Sequence, residues 1–392
     1  MRRYKILALC SLVHGLNHSY WVILPPLLPI LIKEFEISTT EAGLLASAFF
    51  IPYAIFQLPI GSIADRVDRR LLIGLGLLLS AVGIFLSGLA PNYWTLLIFQ
   101  AVAGFGGGTY HPSAIAVIAQ NFPSEERGRA YGLHGIATNL SFFITPLMVT
   151  HLATWGWRTP FLLFGLLGVV ASAIFLPLAG RQANSATVEE RKRMTFVLRN
   201  RQLLKLSSIN ASVTVVDRGV VTFLPLLLTV IYSFDVAQAG STLSLFFLFG
   251  LAGQLIGGYL TDRIDRRVLL TAMLTAIGIG TLAFALAPSP LLALPTVAIV
   301  AIFLFSTFPL TETLATTFLP EASRGSGLGV YFTISSGVGA FSPYLIGGLI
   351  AILGYQPAYL SLAFVAFAGV LISARSGSKQ LTSGKTFKYE GR

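Results

Sequence analysis

The sequence is short of charge. Of 392 residues only 16 are acidic and 27 basic, so 11% carry charge, against about 25% in an ordinary soluble domain. A soluble chain of this length needs a charged surface, and the deficit excludes one large globular core. Cysteine is rarer still: Cys10 stands alone, so neither a disulfide framework nor a cysteine metal site forms within one chain. No Gly-Lys-Ser/Thr follows the glycine-rich run Gly104-Phe-Gly106-Gly107-Gly108, which excludes a phosphate-binding loop there. The absence of any other nucleotide motif argues against ATP-driven chemistry. No convincing nucleophile–base pair or metal constellation stands out, so neither an enzyme nor a cofactor is expected. The His-x-x-x-His spacing of His14 and His18 fits one helix face, but no nearby carboxylate or thiol completes a metal set.

What the chain has in quantity is apolar sequence, at 54%. It comes in runs of the ~20 residues a membrane-spanning helix needs. Approximate spans are 6–32, 41–61, 71–90, 93–120, 130–152, 159–179, 204–232, 239–261, 268–287, 291–318, 326–352 and 358–374. The amino terminus, Arg2-Arg3-Tyr4-Lys5 before an apolar run, superficially resembles a signal peptide. It lacks a small-residue cleavage site and reads as an uncleaved first span.

The net charge of +11 raises the question of nucleic acid, but the basic residues occupy connections rather than a basic face with interleaved aromatics. Arg66, Arg69, Arg70, Arg127, Arg129, Arg263, Arg266, Arg267 and the tails all fall on one side, with only Lys33 and Arg158 opposite. The positive-inside rule places both termini in the cytoplasm, in a cell inner membrane. Tyr93, Trp94, Trp155 and Trp157 at the other ends are expected to form an aromatic belt.

The chain repeats itself. Gly61-Ser-Ile-Ala-Asp65-Arg66-Val-Asp68-Arg69-Arg70 returns as Gly258-Tyr-Leu-Thr-Asp262-Arg263-Ile-Asp265-Arg266-Arg267, an offset of 197. Pro112, Pro123, Arg127-Gly128 and Pro146 recur at the same offset as Pro309, Pro320, Arg324-Gly325 and Pro343. The expected fold class is therefore an all-α membrane protein. It has twelve transmembrane helices in two six-helix pseudo-repeats around a central cavity. The domains are expected at 1–180 and 204–375, with a cytoplasmic linker at 181–203 and a tail at 376–392.

Ionisable residues inside a membrane are costly, and a functional role is their default reading. Span one carries His14, Asn17 and His18, span four Tyr110 and His111, and span five His134 and Asn139. Span seven carries Asp217 and Arg218, and span ten Glu312. At 1.5 Å per residue, His14 and His111 lie at similar depth, roughly 12–14 Å from the inner end. Histidine titrates near neutral pH, so His111 and His14 are the leading candidates for proton or solute handling. The alternative is a set of neutral histidines hydrogen-bonded between helices. Asp217 and Arg218 are adjacent, about 100° apart on a helix, and are expected to seek different partners. Arg218 suits a carboxylate or phosphate of a solute; the plain alternative is that both snorkel to water.

Gly61–Arg70 is similar to the signature of the major facilitator superfamily between helices two and three, G-x-x-x-D-R-x-G-R-R/K. It departs at Asp68, and again at Asp265, where that family usually has glycine. The resemblance implies secondary transport of a small solute by a monomer. It also implies that Gly61, Asp65, Arg66, Arg69, Arg70 and their counterparts Asp262, Arg263, Arg266 and Arg267 form gating charge networks. A plain topology-holding loop is the other reading. His14-x-x-Asn17-His18, Gln57-Leu-Pro59-Ile-Gly61 and Tyr110-His111-Pro112 resemble the fosmidomycin-resistance type of exporter. That implies export of a drug-like or anionic compound in exchange for protons. Drug–proton antiporters usually carry Gly-Pro in helix five, whereas Thr145 precedes Pro146 here. An importer of organic acids and a non-transporting membrane sensor are the rival readings.

Overall fold

The computed structural model describes residues 2–63, 67–179, 199–319 and 324–374. All regular structure among them is helical. Asp65 and Arg66 lie outside the described residues, as do most of the expected linker and the tail.

Two compact units share the chain. The first comprises Met1–Ala186, Val221–Phe247 and Pro343–Ala351. Its helices are α1 (Arg2–Val22), α2 (Leu24–Phe35), α3 (Thr39–Ile63), α4 (Arg69–Ser87), α5 (Tyr93–Gly107), α6 (Tyr110–Asn121), α7 (Ser124–Leu152) and α8 (Arg158–Ala179). It also holds parts of α9 (Arg201–Tyr232), α10 (Val236–Thr261) and α14 (Ser342–Leu353). α4 packs on α5 and α8, α1 on α7, and α3 on α5. Segments from the second half belong here because they pack on first-half helices. Thr39 Oγ1 donates to the Gly347 carbonyl at 2.9 Å, and the Tyr344 N–H donates to Ser47 Oγ at 3.1 Å. Phe142 stacks on Phe247 at 4.7 Å.

The second unit comprises Thr187–Val220, Leu248–Ser342 and Ile352–Arg392. It contains α11 (Arg266–Ala285), α12 (Pro290–Thr317), α13 (Arg324–Ala340) and α15 (Tyr355–Ala374), with α11 packed on α12 and α15. Thr214 Oγ1 ties α9 to α13 through the Ser335 carbonyl at 2.7 Å.

Among the described residues, eleven stretches are long and apolar enough to cross a membrane. The expected fourth span makes the twelfth, in two pieces: α5 and α6, broken at Gly108-Thr109. The first and eleventh spans are also broken, near Ile23 ahead of Pro25-Pro26 and at Phe341. Many large apolar side chains face outward, among them Leu75, Ile98, Leu166, Leu255 and Phe364. Water would not tolerate a surface of that kind, and lipid favours it.

The repeat has a structural meaning. Asp68 accepts from the Arg70 N–H at 3.0 Å and caps α4. Asp265 accepts from the N–H groups of Arg267 and Val268, both at 3.0 Å, and caps α11. The departure from glycine at both positions therefore supplies an N-cap. Arg70 Nη1 donates to the carbonyl of Ala179, and Arg267 Nη2 to that of Ala374, each the last residue of its helix. Each cation thus meets the negative end of a helix.

Glycine permits close approach between α3 and α5. A Cβ at Gly104 would overlap the Phe49 carbonyl oxygen, and one at Gly108 would lie 2.6 Å from the Tyr53 oxygen. Moved by 197, Tyr53 and Gly108 become Gly250 and Phe305, where a Cβ on Gly250 would lie 2.6 Å from the Phe305 ring. The same helix pair meets in both units with the sizes exchanged.

The aromatic belt needs correction. Trp94 and Trp155 are exposed, but Trp157 and Tyr93 are buried. Trp157 packs on Phe35 at 5.4 Å, and the Tyr93 hydroxyl donates to the Glu41 carbonyl at 3.1 Å. The Tyr93 hydroxyl is thus used inside the protein, and the Trp157 ring is covered by its neighbours.

Candidate functional site

Four of the five histidines converge in the first unit: His14 and His18 on α1, His111 on α6 and His134 on α7. His14 and His18 are one turn apart and share a face. Their rings meet edge to face at 4.7 Å. His111 completes a triangle, 5.3 Å from each of them by ring centroid. One ring nitrogen from each of these three lies within 4.8 Å of the other two. His134 behaves differently. Its ring lies parallel to His14, 4.0 Å away with 4° between planes.

The helix break positions His111. α5 ends when the Gly108 N–H donates to the Gly104 carbonyl, and α6 begins at Tyr110. The Gly107 carbonyl loses its helical partner at the break and accepts from Asn17 Nδ2 at 3.1 Å. Asn17 thereby fixes α1 against the fourth span. Its own Oδ1 is buried with no hydrogen-bond partner among the described residues. Tyr110 is buried, with its hydroxyl donating to the Cys10 carbonyl at 2.6 Å and lying 3.3 Å from His134 Nε2. Ser11 Oγ lies 3.5 Å from His134 Nδ1.

His14 is held on one edge. Its Nδ1 lies 3.2 Å from the His134 carbonyl oxygen, which only accepts, so Nδ1 carries the proton of that bond. Nε2 is then the nitrogen with the lone pair. Thr138 Oγ1 sits over the ring edge, 3.0 Å from Nδ1 and 3.2 Å from Nε2. Trp21 packs on His18 at 4.3 Å and Phe142 at 5.2 Å, while Tyr110 stacks on His14 at 5.1 Å. The cluster is thus a polar core inside an aromatic shell. His14, His18 and His134 are buried and His111 half-buried.

Asn139 is half-buried and donates to the Gly135 carbonyl on its own helix at 3.3 Å. Thr138, Trp21, Tyr53 and Phe142 were not singled out from sequence. Thr138 is four residues from His134 on α7, and Trp21 three from His18 on α1, so helical spacing was a signal for both.

In the second unit, Asp217 is buried and Glu312 exposed. Asp217 and Arg218 do not point apart as expected. The guanidinium folds back so that Arg218 Nε stands 3.8 Å from Asp217 Oδ2, with both side chains about nine-tenths covered. A buried carboxylate favours a nearby cation strongly enough to bend a flexible arginine stem. Arg70, Arg266 and Arg267, expected from the sequence to gate, make contacts within their own unit; Arg266 Nη1 approaches Thr317 Oγ1 at 3.5 Å.

An all-helical, polytopic chain with ionisable side chains clustered inside its membrane-spanning helices has the anatomy of a membrane transporter rather than of an enzyme. Two alignments to the family model of the Major Facilitator Superfamily, over residues 7–343 and 206–386, identify the class, and the chain belongs to that family. It is 26% identical to the uncharacterized MFS-type transporter YfnC of Bacillus subtilis (strain 168), over 94% of this chain and 92% of that one. It is 30% identical to the probable L-galactonate transporter of Escherichia coli (strain K12), over 59% of this chain and about half, 55%, of that protein. A shorter match, 27% identity over 41% of this chain, is to the quinolone resistance protein NorA of Staphylococcus aureus, of which it spans 42%. Among solved structures, the fold matches an inward-facing bacterial homolog of the human lysosomal transporter Spinster at TM-score 0.84 and 20% identity. That match covers 97% of this chain and 98% of that one. A D-xylose–proton symporter matches at TM-score 0.80 and 15% identity, over 98% and 99% of the two chains.

Proposed function

We propose that this chain exports a small organic solute, drug-like or anionic, across the cell inner membrane by alternating access, in exchange for protons. Both termini lie in the cytoplasm, and the working unit is a monomer. The observation that carries the reading is the four-histidine cluster. Its imidazole edges, enclosed by Trp21, Tyr53, Tyr110 and Phe142, offer a small solute polar anchors on an aromatic floor. Binding pockets have that composition: mostly apolar lining with a few placed polar groups. The gating role belongs to the charged loops Gly61–Arg70 and Gly258–Arg267.

The proton is carried by ionisable side chains inside the membrane-spanning helices, with His14 and His111 of the cluster and the carboxylates Asp217 and Glu312 as the candidates.

Arg218 favours a second reading, import of an organic acid. A guanidinium pairs with a carboxylate through two parallel hydrogen bonds, and an organic acid offers Arg218 the same group that Asp217 does. The L-galactonate transporter among the relatives supports this alternative.

Direction is tested in cells that express the chain or lack it, by following accumulation of candidate antibiotics and sugar acids. Export is expected to lower the steady-state content of its solute and to raise resistance. Expression that raises the content of an organic acid would replace export by import.

A further inference from the structure

We propose that His14, His18 and His111 form a binding site for a first-row divalent transition cation such as Zn2+, Ni2+ or Co2+, with one coordination position left for an oxygen atom of the solute. The proposal extends the reading of this cluster as the solute site. Its observations are independent of the direction of transport and of the coupling ion.

Sequence spacing offered only the pair His14 and His18 on one helix face. The third donor comes from α6, which the break after Gly108 brings against α1. One ring nitrogen from each of the three falls within 4.8 Å of the other two. A tetrahedral zinc site with Zn–N bonds of about 2.0–2.1 Å separates its nitrogens by ~3.3 Å. Small rotations about histidine χ2, a broad torsion, close that difference.

Ring orientation separates ligands from support. His14, His18 and His111 stand at 67–88° to one another, so no two of these rings are stacked, and one nitrogen of each comes near the other two. His134 lies parallel to His14, which makes a shared metal geometrically unsuitable for that pair. Both of its nitrogens also have neighbours, the Tyr110 hydroxyl at 3.3 Å and the Ser11 hydroxyl at 3.5 Å.

His134 instead contributes its backbone. Its carbonyl accepts the Nδ1 proton of His14, which fixes the tautomer and leaves Nε2 with a lone pair. That is the support a metal-bound histidine usually has. Thr138 Oγ1, within 3.2 Å of that nitrogen, would turn away as the metal enters. Imidazole suits zinc, nickel, copper and cobalt rather than magnesium or calcium, whose preferred donors are oxygens. Three imidazoles are neutral, so the bound dication stays positive overall. It would attract an anionic or chelating oxygen donor such as a hydroxamate or an α-hydroxy acid.

The test uses the full-length protein in detergent, purified through a tag free of histidine. Co2+ is titrated with visible absorption, and Zn2+ with calorimetry. One Co2+ per chain with the intense bands of a four-coordinate site is expected. Affinity is expected to fall at least tenfold in His14→Ala, His18→Ala and His111→Ala and to be unchanged in His151→Ala, a surface histidine. Because an alanine variant could misfold, X-ray absorption on Zn2+-loaded wild type gives a second count, with about three imidazoles per metal expected. Binding that survives the triple alanine variant, a wild type that binds no cation, or a spectrum with one imidazole overturns the proposal. None of these results depends on finding the solute, so the metal site and the transport reading fail separately.

Discussion

The imidazole of His14 lies flat on that of His134, 4.0 Å away with planes 4° apart, while its Nδ1 donates to the backbone carbonyl of the same residue. One residue on α7 thus sets both the plane and the tautomer of a histidine on α1. The ring contact is replaceable and the carbonyl contact is not a side-chain property. His134→Phe keeps the stack and the carbonyl, and should retain most transport. His134→Ala removes the platform and should lower transport several-fold at equal expression. Equal activity of wild type and His134→Ala would show that the stack positions nothing.

The exchanged sizes of Tyr53/Gly108 and Gly250/Phe305 give a packing test. Gly108→Phe forces a ring into a close helix contact and should cost about 1–3 kcal/mol or prevent folding. The atoms Gly108 meets belong to the Tyr53 backbone, so adding Tyr53→Gly should not recover the loss. Thermal melting in detergent and membrane yield report both. A double variant clearly more stable than the single one would mean that the Tyr53 side chain, not its backbone, limits the contact.

Asp68 and Asp265 make a second stability test. Asp68→Ala removes a cap that accepts the Arg70 N–H and should cost about 1 kcal/mol. Asp68→Gly, the residue common in the family signature, should cost only a few tenths of that unit. The two substitutions should rank the same way at position 265. An alanine variant as stable as wild type at either place would remove the capping explanation for the departure from glycine.

How far sequence alone reached follows from which forces are local. The repeat, the helix count and the family signature were legible because hydropathy and charge are written along the chain. The histidines were picked out because an ionisable residue is conspicuous in apolar sequence, and the matched depth of His14 and His111 fits their edge-to-face contact at 5.3 Å. The breaks inside the first, fourth and eleventh spans were not expected, since hydropathy runs through them without a gap. Tertiary contacts support the fourth: Asn17 on the Gly107 carbonyl, and Gly108 against the Tyr53 backbone. The Asp217–Arg218 contact is not legible in helical spacing, which describes where side chains leave the backbone, not where a long arginine ends. Residue type suits Trp157 and Tyr93 to a membrane interface, but burial is decided by neighbours far off in sequence.

The carboxylates carry a prediction of their own. Asp217→Asn keeps the size of the side chain but neither carries the charge that faces Arg218 nor exchanges a proton. Solute-driven proton movement should fall to background in this variant while solute still binds, as followed by protection against heat. Full proton movement in both Asp217→Asn and Glu312→Gln would place the coupling group elsewhere.

The most direct measurement uses proteoliposomes that contain a pH-sensitive dye, exposed to a panel of antibiotics, organic acids and sugars, with His111→Ala beside the wild type. For exchange, solute entering the lumen drives protons out, so the interior should become alkaline, and His111→Ala should abolish the signal while still inserting normally. An interior that acidifies as solute enters would mean symport and the import reading. Solute entry with no pH change, or an unaltered signal in His111→Ala, would contradict the coupling or the assignment of the site.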